Sequence, residues 1–173
     1  MLRATWFQSL VAEPSDQRGK SNLHRPSGLG AIGADGIETT SGAAYVYRVD
    51  GDDWVQEQKL AASDGAQGEN FGGGVAIDGN VIVVTAEFDD ENGARSGSAY
   101  VFRFDGQEWL EEQKLTASDG NADDFFGGFV AVDGDVIVID ANGDDDNGPS
   151  SGSAYVYRFD GLNWNEEQKL LAD

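Results

Sequence analysis

A segment of eleven residues occurs three times at a fixed spacing, and this repeat constrains the fold more than any other feature. The copies begin at Ser41, Ser96 and Ser151, and each reads Ser-Gly-(Ala/Ser)-Ala-Tyr-Val-(Tyr/Phe)-Arg-(Val/Phe)-Asp-Gly. The tyrosines of the three copies, at positions 45, 100 and 155, are 55 residues apart each time. A fixed period of this size indicates one structural unit that is repeated along the chain.

Short β-branched runs precede the last two copies and predict hairpins. Residues 75–77 and 81–84 form such a pair, and residues 130–132 and 136–139 form its counterpart. An Asp-Gly turn follows the first run of each pair, which is a strong hairpin signal. Because the runs are apolar without alternation, we expect both faces of these strands to be covered.

A polar stretch follows each copy of the repeated segment and predicts a fourth strand. It runs from Trp54 to Leu60, from Trp109 to Leu115 and from Trp164 to Leu170. Charged residues interrupt its apolar positions, which is typical of a sheet edge protected against aggregation. Each unit is therefore predicted to be a four-stranded antiparallel sheet whose third strand is the repeated segment.

Stacked sheets of this kind form a β-propeller. We therefore predict an all-β, propeller-type array of four-stranded antiparallel blades, with about two full blades and a partial first one. The predicted bounds are 28–60 for the partial blade and 71–115 and 126–170 for the full blades. The 24 glycines, the 3 prolines and the absence of long helical runs agree with short strands and glycine turns. Propellers typically close with four to eight blades, so three predict a partial or open propeller.

Residues 1–27 differ from the rest and are expected to form a poorly ordered lead-in. They carry four of the eleven basic residues and the single histidine, His24. His24 has no partner at metal-ligand spacing and is interpreted as a surface residue. The apolar positions near the start are broken by Gln8 and Ser9, which is too short a run for a clear signal peptide.

The sequence resembles the FG-GAP repeat family, which includes bacterial relatives of the integrin α-subunit propeller. Phe71-Gly72 and Phe126-Gly127 match the "FG" element, and the repeated Ser-Gly-Ser-Ala-Tyr-Val segment matches the strand after the "GAP" element. The GAP element itself is degraded, at Thr85-Ala86-Glu87 and Asp140-Ala141-Asn142. The resemblance covers roughly residues 28–173.

The resemblance implies a non-enzymatic binding, adhesion or scaffold module. It also implies an extracellular or cell-surface location. The truncated first unit and the unlike lead-in favour a chain that is a piece of a larger protein. The alternative is a carbohydrate-binding, lectin-like propeller, and the ligand itself, protein or glycan, is left open. An uncovered blade face would favour self-association that completes or covers the propeller.

Composition excludes several classes of function. A net charge of −21 argues against nucleic acid and against anionic membrane surfaces, and it suits cations or a basic partner. The chain has no cysteine, and no apolar run approaches the length of a membrane span. The sequence shows no Ser/His/Asp set, no cysteine nucleophile and no phosphate-binding loop, so no enzyme activity is predicted.

Two acidic loops are the candidate metal sites. Integrin-type blades often bind calcium through a D-x-D-x-D-G loop between their first two strands, but here that turn is only Asp78-Gly79-Asn80 or Asp133-Gly134-Asp135. The acidic loops instead follow the second strand and supply oxygen ligands that calcium accepts. Possible weak calcium ligands are Asp89, Asp90, Glu91, Asn92, Asp144, Asp145, Asp146 and Asn147. The alternative is that these loops are solvated turns.

The repeated aromatic residues are a further candidate, either as a ligand-stacking ring or as packing between blades. They are Trp54, Trp109, Trp164, Tyr100 and Phe126. Their recurrence in phase with the predicted strands favours packing.

Overall fold

A computed structural model describes residues 28–34 and 41–171; the predicted lead-in lies outside the described residues. The described part contains eleven β-strands and no helix. The strands are β1 Leu29–Ala34, β2 Ala43–Asp50, β3 Asp53–Leu60, β4 Val75–Asp78, β5 Val81–Ala86, β6 Ser98–Phe104, β7 Trp109–Leu115, β8 Phe126–Asp133, β9 Val136–Ala141, β10 Ser153–Phe159 and β11 Trp164–Leu171.

The strands form three antiparallel sheets, one for each repeat. The first sheet has the order β1-β2-β3, the second β4-β5-β6-β7 and the third β8-β9-β10-β11. In each sheet the strands are neighbours in the order in which they occur along the chain, which is the meander of a propeller blade. The prediction of an all-β, propeller-type array with two full blades and one partial blade is confirmed. The described sheets do not close into a ring.

The three blades have the same backbone irregularity at equivalent positions. The ladder between the last two strands shifts register at the same place in each blade, after Val46, Val101 and Val156. Such a shift is a β-bulge, which bends and twists the strand that carries it. The repeated sequence therefore specifies both the pairing of the strands and the curvature of each blade.

The hydrophobic core lies between the sheets in two clusters. One cluster joins the first and second blades and contains Val46, Ile82 and Tyr100, and the other joins the second and third blades and contains Val83 and Ile139. The second blade is covered on both sides, and all six residues of β5 are buried. The expectation that both faces of the inner strands are covered is thus confirmed for β5.

The same expectation is wrong for β8 and β9. Burial alternates along these strands from Phe129 on, because no described sheet covers the outer face of the third blade. The described residues also include no helix long and apolar enough to cross a membrane.

Candidate functional site

A buried aspartate anchors each acidic loop to its blade. Asp89 comes three residues after the end of β5, and its side chain is almost wholly buried. Its Oδ2 atom accepts hydrogen bonds from the hydroxyls of Ser98, at 2.9 Å, and Tyr100, at 3.1 Å. Ser98 and Tyr100 lie two positions apart on β6, so they share one face of the sheet. The loop is therefore fixed to the third strand of its own blade.

A lysine ammonium occupies the centre of the acidic cluster. Lys114 on β7 pairs with Tyr100 across the ladder, which brings its side chain to the same face. Its Nζ atom lies 2.8 Å from Asp64, 2.8 Å from Asp89 and 2.7 Å from Glu91. The single proton of the Tyr100 hydroxyl is shared between Asp89 and Asp64, whose Oδ1 atom lies closer, at 2.7 Å. The cluster thus ties the loop before β4 and the loop after β5 to one cation.

The charges of this cluster stabilise one another. Burial alone would lower the pKa of Lys114, but hydrogen bonds to Asp64, Asp89 and Glu91 outweigh it and raise that pKa well above its usual value. Burial alone would raise the pKa of Asp89, but hydrogen bonds from Lys114, the Glu91 backbone and Ser98 lower it. Both groups are therefore held in their charged forms at neutral pH.

The third blade repeats the same cluster 55 residues later. Asp144 accepts from Ser153 at 3.0 Å and from Tyr155 at 3.1 Å. Lys169 lies 2.9 Å from Asp119, 2.6 Å from Asp144 and 2.6 Å from Asp146. The one substitution between the two clusters is Glu91 to Asp146, which keeps the carboxylate. Two successive blades therefore present the same acidic framework.

The eight predicted calcium residues fall into two groups. Asp89 with Glu91, and Asp144 with Asp146, converge on the two lysines. Asp90, Asn92, Asp145 and Asn147 are exposed on the loops, and Asp90 accepts a hydrogen bond from the Arg95 backbone at 2.7 Å. Among the described residues, no group of three or more acidic, histidine or cysteine residues has a metal-binding arrangement. Calcium binding stays a prediction.

The lysines, the carboxylates of Asp64 and Asp119 and the tyrosine hydroxyls were not among the predicted site residues. Their signal was present, because all six residues recur at the 55-residue period. By sequence alone, Lys114 and Lys169 are predicted to be polar residues of an edge strand. Their role depends on two loops that meet only in the folded blade.

The acidic loop of the second blade also packs on the next blade. The backbone amides of Asp123, Phe125 and Phe126 donate to the carbonyls of residues 94, 95 and 96, at 2.8 to 3.1 Å. Arg95 pairs with Asp123 and stacks over the Phe125 ring at 5.3 Å. The loops of neighbouring blades therefore form one continuous surface at this end of the array, which we call the loop end.

Most of the repeated aromatic residues are packing residues, as expected. Trp109 and Trp164 are each 2% exposed, and Tyr100 and Phe126 are fully buried. Trp54 differs, with 49% of its surface exposed. Of the three tryptophans among the described residues, only Trp54 therefore presents a surface on which a ligand could stack.

The stacked blades and the repeated loop clusters define a β-propeller-type repeat protein. The FG-GAP repeat family matches residues 54–102 and 109–157, which together make up more than half of the chain. The chain belongs to the FG-GAP repeat family. Each match runs from the last strand of one blade to the third strand of the next, so the family repeat includes a junction between blades. No curated protein matched the chain.

Proposed function

We propose that the protein is a non-enzymatic binding and adhesion module of an extracellular or cell-surface protein. FG-GAP membership supports a propeller-type binding module, and the loop end supplies a surface for a ligand. The observation that carries the proposal is the repeated cluster around Lys114 and Lys169. It anchors two acidic loops, one on each blade, through equivalent contacts.

The ligand of the loop end is a protein with a basic surface. Asp90 and Asp145 project from equivalent positions of the two loops and are exposed, as are Asp123 and Asn147. Carboxylates arranged in this way attract a basic partner over long range and orient it on contact. Two equivalent loops allow two contacts with one partner, which raises the affinity over that of a single contact.

The experiment compares neutralised loops with a matched control at the other end of the blades. Asp90→Asn and Asp145→Asn together remove two charges from the loop end. Asp52→Asn and Asp133→Asn remove two charges from the opposite end, one from the exposed turn between β2 and β3 and one from the exposed end of β8. Binding to an immobilised oligolysine peptide is measured by interferometry at 150 mM salt. At this salt concentration the Debye length is roughly 8 Å, so attraction between more distant charges is largely screened.

The loop variant should bind the peptide about 2-fold to 30-fold more weakly, because each exposed ion pair contributes about 0.2–1 kcal/mol. The control should bind nearly as the wild type does. Equal losses in the two variants would show that net charge alone attracts the peptide, and the loop end would not be the binding surface.

A carbohydrate ligand is the second candidate, and the exposure of Trp54 favours it. Its indole covers the backbone of the first blade, since a Cβ atom placed on Gly28 or Gly30 would lie 2.7 Å or 3.5 Å from the ring. Exposed indole faces can stack on sugar rings. Binding to a glycan array that Trp54→Ala abolishes and the loop variant retains would favour this function over a protein partner.

A further inference from the structure

Four residues that break the 55-residue repeat meet at one point of the loop end. Phe88 and Arg95 belong to the acidic loop of the second blade, and Asp123 and Phe125 belong to the segment before β8. The residues one period away from these four are Gly143, Ser150, Gly68 and Asn70. We call the four residues the aromatic–arginine cluster. Residues that both loops share cannot distinguish one loop from the other, whereas residues of this cluster can.

The members of the cluster contact one another across the junction between the second and third blades. The Phe88 and Phe125 rings pack edge-on, with centroids 6.0 Å apart. The Arg95 guanidinium lies over the Phe125 ring at 5.3 Å and pairs with Asp123 at 2.5 Å. The Phe125 ring also uses the space that Gly143 leaves, since a Cβ atom on that glycine would lie 2.7 Å from the ring. The guanidinium is therefore held between an aromatic ring and a carboxylate.

The backbone of the cluster is strained. Arg95, Asp123 and Phe125 have φ values of +56°, +68° and +53°. Positive φ is uncommon for residues other than glycine, and for a bulky residue it is an outlier. The second repeat unit has the same backbone with residues that tolerate it, Gly68 at φ +87° and Asn70 at φ +65°. The third unit therefore places an aspartate and a phenylalanine at positions that suit glycine and asparagine.

Joining the blades does not require this strain. Each junction has the same close contact between a phenylalanine and a glycine, Phe71 with Gly42 and Phe126 with Gly97. The first of these junctions forms with Asn70 beside it instead of a phenylalanine. Strained residues persist mainly at sites where their side chains bind or act on a ligand. The strain of the cluster therefore points to a role beyond packing.

Arg95 is accessible to a ligand. Its side chain is 54% exposed although Phe125 lies against the guanidinium. Its backbone amide donates to the carboxylate of Asp90 at 2.7 Å, and Asp90 is one of the exposed residues of the proposed binding surface. Arginine and aromatic side chains are enriched among the residues that dominate the energy of protein interfaces. A basic partner attracted to Asp90 therefore brings its neighbouring side chains to Arg95.

The charges around Arg95 favour an aromatic group of the partner over a carboxylate. The guanidinium is already paired with Asp123, and the neighbouring Asp90 adds a second negative charge. These two groups would repel a carboxylate. An aromatic ring carries no net charge, and its face attracts a guanidinium, which stacks on it.

We propose that Arg95 is the specificity-determining residue of the loop end and that it stacks on an aromatic side chain of the basic partner. Phe125 and Asp123 are the positioning residues that hold the guanidinium in place. This contact rests on the proposed function, since the partner is the basic protein proposed for the loop end. Asp90 and Asp145 attract that partner to both loops alike, so Arg95 determines which loop the aromatic side chain contacts.

Two peptides of equal charge test the stacking contact. Both are oligolysines, one with a single central tryptophan and one with alanine in its place, and interferometry measures their binding to the full chain. The wild type should bind the tryptophan peptide about 2-fold to 5-fold more tightly, because an exposed cation–π contact contributes about 0.5–1 kcal/mol. The ratio of the two affinities tests Arg95. The proposed function is tested separately, by the loss of alanine-peptide binding in the Asp90→Asn, Asp145→Asn variant.

Arg95→Ser should abolish the preference for the tryptophan peptide without weakening the binding of the alanine peptide. Serine tolerates this backbone, since Ser150 has φ +49° at the equivalent position of the third blade. Arg158→Ser is the matched control, because it removes the charge of an arginine that is 48% exposed at the opposite end of the blades. This control should keep the preference.

Phe125→Asn distinguishes a positioning role from packing. It introduces the residue that the second repeat unit has on the same backbone, so release of strain should offset the lost ring contacts. The Tm should therefore stay nearly unchanged while the preference for the tryptophan peptide falls. A lower Tm with an unchanged preference would assign Phe125 to packing alone and overturn its positioning role.

Equal binding of the two peptides by the wild type overturns the proposal, and so does a preference that persists in Arg95→Ser. Loss of that persistent preference in Trp54→Ala would then assign the stacking to the exposed tryptophan.

Discussion

Replacing Lys114 by methionine should destabilise the protein strongly, because it leaves a buried carboxylate without its cation. Methionine keeps the apolar stem of the side chain and removes only the charge. Asp89 is 2% exposed and would keep its bonds to Ser98 and Tyr100. Removing one partner of a buried ion pair costs about 3–5 kcal/mol.

The structure places the expected cost near the lower end of that range. The Lys114 side chain is 19% exposed, so water reaches part of the cluster. Asp64 and Glu91 are about half exposed, at 52% and 53%, and such pairs contribute about 0–1 kcal/mol each. We therefore expect a loss of about 3 kcal/mol in the free energy of unfolding. For a chain of this size that corresponds to a fall in Tm of about 6–12 °C.

Urea unfolding followed by tryptophan fluorescence measures the loss, with the Tm from calorimetry as a second value. Lys59→Met is the matched control, since Lys59 occupies the equivalent position on β3 and is exposed; it should change the free energy by less than about 0.5 kcal/mol. Adding Asp89→Asn to Lys114→Met should recover part of the loss. A cost below 1 kcal/mol for Lys114→Met, or no recovery in the double variant, would refute the assigned role of the cluster.

Three further predictions concern the junctions and the loops. Gly97→Ala should lower the free energy of unfolding by about 3 kcal/mol or more, because its Cβ would overlap the Phe126 carbonyl, whereas Gly106→Ala, with φ +103° and open space around the Cβ, should lower it by about 1–2 kcal/mol. Equal losses in urea unfolding would contradict the close contact between Gly97 and Phe126. Hydrogen bonds from the lysines outweigh burial and lower the pKa values of four carboxylates, those of Asp64, Asp89, Asp119 and Asp144. These carboxylates therefore stabilise the folded protein fully above the pKa of an unfolded aspartate, about 3.9, and lose this effect as the pH falls through their pKa values in the folded state. The unfolding free energy should therefore fall below about pH 4, and less steeply in a Lys114→Met, Lys169→Met variant; parallel pH profiles would count against this. Calcium bound by the acidic loops must compete with the lysine ammonium groups. Calorimetry should therefore show a calcium dissociation constant no tighter than millimolar in the wild type and a tighter one in Lys114→Gln. If neither protein shows binding heat or a shift in Tm with calcium, these loops do not bind calcium.

The sequence by itself determined the architecture. The 55-residue period, the Asp-Gly turns and the β-branched runs predicted four-stranded blades and their order, because hairpin pairing depends on residues close together in the chain. The same pattern identified Trp109 and Trp164 as packing residues. It predicted the acidic loops, with Asp89 and Asp144, as the part of each blade most suited to a ligand.

Only the tertiary structure decided what the charged residues do and which surfaces are covered. Lys114 lies on β7, Asp64 in the loop before β4 and Asp89 in the loop after β5. Their spacing in the chain therefore does not reveal that they are in contact. Leu115 and Leu170 have nearly identical local sequences, but only Leu115 has a following blade against it. Burial depends on what packs against a surface, and a repeated sequence predicts the same environment for both. The uncovered outer face of the third blade and the lysine at the centre of the acidic cluster are therefore seen only in the tertiary structure.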